Sequence, residues 1–590
     1  MSDQPIRPSQ FILSHGVGSI IEMTGGPRLV PAFQQGLVPN LDRFGTSIDD
    51  FRLDEHRLTS TILREYGHQN PFIFRLPTNA DLGVSDSVTL YRTFPFPLWS
   101  LCRTHHILYK VDAGSTRGCP SCHVAGQDLL VKARREADRF VLACKKGHLD
   151  EVPWQTVVPH RSATCPAEYY DWTGAGAGLR NVRVKCRSCG ASVVFGKAYG
   201  RPYRCSGRFP ESSAARPGCD VGARITQRLA SNLRLTELVS ALTIPPDDGP
   251  IQRRLLALGL DNVFSGIICR SKDEVIGVLR RLAARGRLDP STIAEFSEVS
   301  ERELLQAIED ITRPIAARNQ EEIKDQEFRA LKNAATHGHP AEASPHGNHA
   351  LEVSRSEVRV IQTPHGRILR VTPVRRLRVV LVQVGYRRLG TDPIENELIQ
   401  TPLIYPPPDS RTGYPGVELL GEGIFVDTPD ESPLILEEGS ALREWRRNSS
   451  TTERQSWPEA VWWHTLSHAL LNGLAVDSGY SAASIRERVF VSRESESGRV
   501  AGGLLLYTSQ PGGDGSLGGL IAQVLRFEQV LESSIYNLDP CANDPLCSEN
   551  RFEHGRVNGA ACYACCLASE TSCELRNRGL DRNVLLETVP

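Results

Sequence analysis

Residues 541–573 read CANDPLCSENRFEHGRVNGAACYACCLASETSC, and this stretch decides how the rest of the chain is understood. It packs Cys541, Cys547, Cys562, Cys565, Cys566 and Cys573 close together. A second cysteine-rich region runs from Cys102 to Cys219, and between the two regions stands a single thiol, Cys269. Thiols scattered through a core for packing would not cluster in this way. Thiolates in pairs at C-x-x-C spacing are zinc ligands by default. The opening MSDQPIRPSQ lacks the charged-then-apolar pattern of an export signal, so a cytoplasmic location is expected. In a reducing cytosol the 16 cysteines point to metal rather than to a disulfide framework.

The 590 residues carry a formal net charge of -1, so no global field draws the chain to DNA or to an anionic membrane. No apolar run is long enough to span a bilayer. The expected fold class is α+β and multidomain, with a zinc-ribbon-like N-terminal region, a helical middle and a C-terminal α/β module. Six segments are expected. Residues 1–100 are β-rich, with FILSHGVGSIIEM as strand, turn and strand, and 101–224 form a loop-rich zinc-binding region. Residues 225–335 are helical, because EVIGVLRRLAARG and ERELLQAIEDI repeat apolar residues every three or four positions and Ser300 to Glu303 fits a capping box. Residues 336–352 form a linker whose His337, His339, His346 and His349 belong to a solvated tract. Residues 353–440 are again β-rich, and 441–590 make the last module. There, EAVWWHTLSHALLNGLAVDSGY is a helix with a glycine stop, RERVFVSRE and AGGLLLYTSQ are strands, and LIAQVLRFEQVLESS is a second helix.

Spacing suggests four zinc sites. Cys186, Cys189, Cys205 and Cys219 form one, with a C-x-x-C knuckle closed by a later pair. Cys102, His105, Cys119 and Cys122 form another, in which His106 could replace His105. Cys144, His148, His160 and Cys165 form a third, more loosely spaced. In the C-terminal cluster Cys562 and Cys565 are the firm pair, two of Cys541, Cys547 and Cys573 complete the site, and Cys566 points elsewhere. All four sites look filled by protein ligands, and closed sites hold folds together rather than activate water.

His464 and His468 lie four apart on one helix face. Thr465 stands where a metalloprotease helix carries its general-base Glu, so buried, hydrogen-bonded histidines are the plainer reading. The loop PGGDGSLGG could cradle a phosphate, but it lacks the Lys-Ser/Thr of a P-loop. A metal-dependent nuclease or phosphohydrolase built on His464, His468 and Asp514 is the rival to a non-catalytic protein. Basic residues that could track phosphates cluster at Arg183, Lys185 and Arg187, and again at Arg375, Arg376 and Arg378, with Arg387 and Arg388 on the same strand. A solvated charged surface accounts for them equally well.

The segments RPSQFILSHGVGSIIEM, ACKKGHLDEVPW, HTLSHALLNGLA, YTSQPGGDGSLGG and GAACYACCLASETSCELRNRGLDR together resemble the DrmB family, the DUF1998-containing subunit of the antiphage system DISARM. Residues from about 440 onward resemble the MrfA-like zinc-binding domain that also occurs fused to helicases. The resemblance implies zinc as cofactor, with Cys541, Cys547, Cys562, Cys565 and Cys573 among the C-terminal ligands. It also implies a separate superfamily 2 helicase, DrmA-like, as heterodimer partner and DNA bound through that complex, and it leaves room for other DISARM components; no membrane partner is expected, because no apolar run spans a bilayer. The expected role is a zinc-stabilised, non-catalytic subunit.

Overall fold

The computed structural model describes residues 6–588 except 54, 69, 112–117, 125–134, 175–177, 213, 216–217, 245–250, 252–253, 256–257, 259, 265–266, 268, 313–318, 340–350, 364–366, 391–394, 401–410, 431, 437, 450–452, 494–498, 511–517, 554–555 and 570–571. His346, His349 and Asp514 lie outside the described residues. The chain is a mixed helix-and-strand protein with several domains. It divides into two units, each drawn from segments far apart in sequence. The first comprises residues 1–54, 66–239 and 381–417, and the second comprises 55–65, 240–380 and 418–590.

Two antiparallel sheets frame the metal region of the first unit. The six-stranded sheet runs in the order Ser192–Val194, Arg183–Cys186, Tyr169–Thr173, Ile107–Lys110, Trp99–Cys102, Arg135–Ala137. The four-stranded sheet runs Leu149–Glu151, Phe140–Ala143, Ala223–Gln227, Pro202–Tyr203. These strands are short, and the core beside them includes an aromatic cluster in which Phe140, Trp154, Trp172 and Phe195 meet at centroid distances of 4.7–6.3 Å. Arg388 is wholly buried, and its guanidinium donates to the carbonyls of Gly147, Leu233 and Gly18 and pairs with Glu211 at 3.2 Å. One side chain thereby ties together four segments remote in sequence.

The N-terminus differs from the expected strand, turn and strand. Pro8–Gln10 is a helical turn continued by a π turn over Phe11–His15, and only Ile20–Met23 is extended. Pro8 presets φ for a helix start, and the Gln10 side chain accepts from the Arg7 N–H at 3.0 Å. These local contacts outweigh the extended preference of Phe-Ile.

The second unit is built around the helix Pro458–Ser478, whose residues 460–471 are buried on every side. Trp462, Trp463, Leu466, Leu470 and Leu474 pack in one core with Leu504, Leu506, Phe527 and Leu531. A helix covered all round shows no polar face, and its sequence AVWWHTLSHALL has none. Gly479 ends the helix at φ 78°, a left-handed residue suited to glycine. Strand Ile485–Arg493 pairs antiparallel with Val500–Gln510, which pairs in turn with the Leu420–Asp427 part of Thr412–Asp427. The helical middle packs a core of its own from Lys272–Ala284, Pro290–Glu298 and Glu301–Thr312. Ser300 caps the last of these helices by accepting from the Glu303 N–H at 3.3 Å.

Candidate metal centres and basic surfaces

Strand ends and tight turns bring the cysteines and histidines of the first unit into three quartets. In each, the ligand atoms lie within 4.8 Å of one another. Cys102, His105, Cys119 and Cys122 form the first, the grouping expected from spacing, with His105 Nδ1 at 3.7, 3.5 and 3.3 Å from the three sulfurs. His105, not His106, is its nitrogen donor.

The other two quartets correct the expected grouping. Cys186 and Cys189 do not meet Cys205 and Cys219; they meet His160 and Cys165. Cys144 and His148 are completed by Cys205 and Cys219 instead. The eight residues are those expected, but the pairs are exchanged. The sheets give the reason. Cys144, His148, Cys205 and Cys219 all flank strands of the four-stranded sheet, whereas Cys186 lies opposite Tyr170 in the six-stranded sheet, beside the segment that carries His160 and Cys165. Strand neighbourhood, not order in sequence, decides which pairs share a centre. As a result the His160–Cys189 quartet lies wholly within the stretch bracketed by Cys144 and Cys219.

The turns are those that a metal knuckle needs. Gly147, at φ 80°, lets its N–H reach the Cys144 carbonyl at 3.0 Å, and Gly190, at φ 75°, does the same for Cys186 at 3.0 Å. Ligands about 2.3 Å (S) and about 2.0 Å (N) from a tetrahedral zinc stand roughly 3.8 Å (S–S) and roughly 3.5 Å (S–N) apart. The distances found match this spacing: Cys144 to His148 Nδ1 3.3 Å, Cys205 to Cys144 3.6 Å, His160 Nδ1 to Cys189 3.3 Å and Cys165 to Cys186 3.8 Å. Backbone N–H groups and His160 lower the Cys189 thiol to about 6. Burial pushes the Cys205 thiol up to about 12, so a metal there must displace a proton.

In the second unit Cys541, Cys547, Cys562 and Cys565 converge, with 3.4 Å from Cys541 to Cys562 and 3.7 Å from Cys547 to Cys565 and from Cys562 to Cys565. The Asn543 side-chain amide donates to the Cys562 sulfur at 3.3 Å. Cys573 is not in this quartet, which corrects its expected place among the C-terminal ligands. It lies instead with His464 and His468 beside Glu487, an acid that the strand pattern RERVFVSRE gives no reason to single out. The one signal in the sequence was arithmetic, since the C-terminal region holds more thiols than one zinc needs. Burial opposes ionisation of Glu487, but the two imidazoles facing it hold its carboxyl well below the usual carboxylate range.

The basic residues fall into two kinds. Arg183, Lys185 and Arg187 are exposed on one strand face while Val182, Val184 and Cys186 are buried. Arg183 donates to Ser192 at 3.0 Å, and Arg187 pairs with Asp171 at 3.1 Å. Arg375, Arg376 and Arg378 are matched by Glu357, Glu352 and Glu418 respectively, which neutralises much of that stripe. Arg388 turns inward and is unavailable to any phosphate. Among the described residues, no helix is long and apolar enough to cross a membrane.

Residues 466–566 match the MrfA Zn-binding domain, and residues 7–235 match a domain of unknown function, DUF8724. The chain is 26% identical to the DISARM protein DrmB of Bacillus paralicheniformis over 542 residues, covering 84% of this chain and 89% of that one. A crystal structure of the DUF1998 helicase MrfA bound to DNA shares 12% identity over 40% of this chain. Only 24% of that helicase's chain is spanned, with a TM-score of 0.19, a likeness too slight to bear on the fold. Zinc is the metal indicated for the C-terminal part, where the matched zinc-binding domain spans the converging Cys541, Cys547, Cys562 and Cys565. Along most of its length the chain is thus homologous to the DISARM protein DrmB, and its C-terminal part carries the MrfA zinc-binding domain.

Proposed function

We propose that this chain is a non-catalytic subunit of a DISARM-type antiphage system, docked on a separate superfamily 2 helicase and helping it to hold foreign DNA. The homology to DrmB over nearly the full length of both chains carries the reading. The four sulfur-rich quartets act as structural zinc sites: Cys102, His105, Cys119, Cys122; Cys144, His148, Cys205, Cys219; His160, Cys165, Cys186, Cys189; and Cys541, Cys547, Cys562, Cys565. Each supplies four protein ligands, so none keeps the open position that a hydrolytic zinc uses. The zincs stiffen surfaces whose strands are too short to stand alone.

Arg183, Lys185 and Arg187 are the first candidates for DNA phosphate contacts, because they share one exposed strand face. Arg375, Arg376 and Arg378 are weaker ones, since each already faces a carboxylate. Such contacts grip the backbone without reading bases, so binding falls steeply with salt.

Co-expression with the cognate helicase and titration of labelled DNA tests the proposal. The expected result is a stable heterodimer that binds DNA more tightly than either chain, and a Arg183→Glu/Lys185→Glu/Arg187→Glu variant with weaker binding and a salt slope shallower by about 0.7–0.9 per lost contact. Failure of the two chains to associate would overturn the subunit reading. An unchanged salt slope would remove this strand face from the DNA path.

A further inference from the structure

We propose that His464, His468, Glu487 and Cys573 form a fifth metal site, a closed centre that takes a zinc-class divalent cation through two imidazole nitrogens, one carboxylate oxygen and one thiolate. The four ligand atoms lie within 4.8 Å of one another, and the four residues are 0–4% exposed. None of them belongs to the Cys541, Cys547, Cys562, Cys565 quartet.

Hydrogen bonding fixes what these atoms can do. His464 Nδ1 lies 3.2 Å from the Gly579 carbonyl, and His468 Nδ1 lies 2.7 Å from the Cys566 carbonyl. A carbonyl only accepts, so both Nδ1 atoms carry the proton and donate. In a neutral ring that leaves both Nε2 lone pairs turned inward. They face Glu487 Oε1 at 2.9 and 3.3 Å, and His464 Nε2 also faces Cys573 Sγ at 3.2 Å. When both rings are neutral, two nitrogen lone pairs, a carboxylate oxygen and a sulfur therefore converge; when the rings are protonated, their Nε2–H groups donate to Glu487 instead, and a bound cation takes the place of those protons. All four residues are buried, and a divalent cation is a partner that the four ligand atoms can share.

The surroundings are those of held ligands. A ligating histidine almost always donates its other ring N–H to a carbonyl or carboxylate, and both do so here. Ser467 donates its hydroxyl to Glu487 Oε2, which leaves Oε1 to face the centre. The Asn577 N–H donates to the Cys573 sulfur at 3.1 Å, as an amide does to a thiolate. Two nitrogens with one oxygen and one sulfur form a borderline donor set that suits zinc better than calcium or magnesium. With four protein ligands and no exposure, the centre is a clamp. It fastens the Pro458–Ser478 helix, the Ile485–Arg493 strand and the turn around Cys573.

Zinc per chain, counted by native mass spectrometry on the full-length protein, tests the site. Cys573→Ala and His464→Gln should each hold one zinc fewer than the wild type, while Cys565→Ser combined with either should lose one more. Folded variants that keep the wild-type count would overturn the proposal. Cadmium-113 NMR of the substituted wild-type protein decides the matter if the variants fail to fold. A one-sulfur site resonates well upfield of three- and four-sulfur sites. Such a resonance supports the proposal, and its absence overturns it.

Discussion

Asp138 shows how a single buried carboxyl can set a pH response in the first unit. It accepts from the Phe140 N–H at 3.1 Å and from Trp154 Nε1 at 3.0 Å, and it is 5% exposed. Burial pushes its carboxyl up to about 7, against an ordinary value of 3.8. The folded chain therefore keeps a proton that the unfolded chain has already lost between those two values. Stability contributed by this group is present below the unfolded value and is lost as pH rises through the folded one. Urea midpoints of the wild type should fall from about pH 4 to about pH 7, and Asp138→Asn should flatten that slope. Equal slopes in the two proteins would show that Asp138 does not control the response. Arg388 makes the complementary point about charge. The sequence places it in a basic run, and only the fold reveals that Glu211 and three carbonyls absorb it.

Among the elements, the contact between helix Pro458–Ser478 and strand Val500–Gln510 offers a direct test of packing. A Cβ on Gly502 would lie 2.3 Å from Trp463 Nε1 and 2.5 Å from Trp463 Cδ1, and the indole is itself wholly buried. Gly502→Ala should cost about 1–3 kcal/mol through this overlap, although alanine ordinarily suits a strand better than glycine. Gly25→Ala, where nothing lies within 4 Å, should stay within about 0.5 kcal/mol. Thermal or urea unfolding reads both. The helix itself, its glycine stop, the two following strands and the Ser300 cap were legible, because each rests on local spacing and capping. The opening π turn was not, since a short apolar run fits strand or helix and the Pro8 and Gln10 contacts decide between them. The zinc residues were legible by type but not by partner. C-x-x-C spacing marks a ligand pair, whereas the choice between Cys205 and Cys165 as partners for Cys186 depends on strands that pair across dozens of residues. Glu487 was illegible altogether, because nothing in its strand distinguishes an acid that will be buried from one that faces water.

At the scale of the whole molecule, the exchanged pairs have a consequence for how the chain becomes ordered. The stretch from His160 to Cys189 is a short loop, and Cys144 to Cys219 is a longer loop that contains it entirely. Closing a loop costs conformational entropy that grows with the freely moving length, so the inner loop closes first and shortens what the outer one must still gather. The dependence therefore runs one way. Cys186→Ser should weaken zinc retention at the outer quartet as well as the inner one. Cys219→Ser should leave the inner quartet loaded, as zinc release to a chelator and the reactivity of the remaining thiols would show. Equal damage from both substitutions would mean that the two loops order as one. A ribosome-bound chain would complete its inner knot before Cys205 and Cys219 have emerged, so the order of synthesis and the order of metal capture coincide.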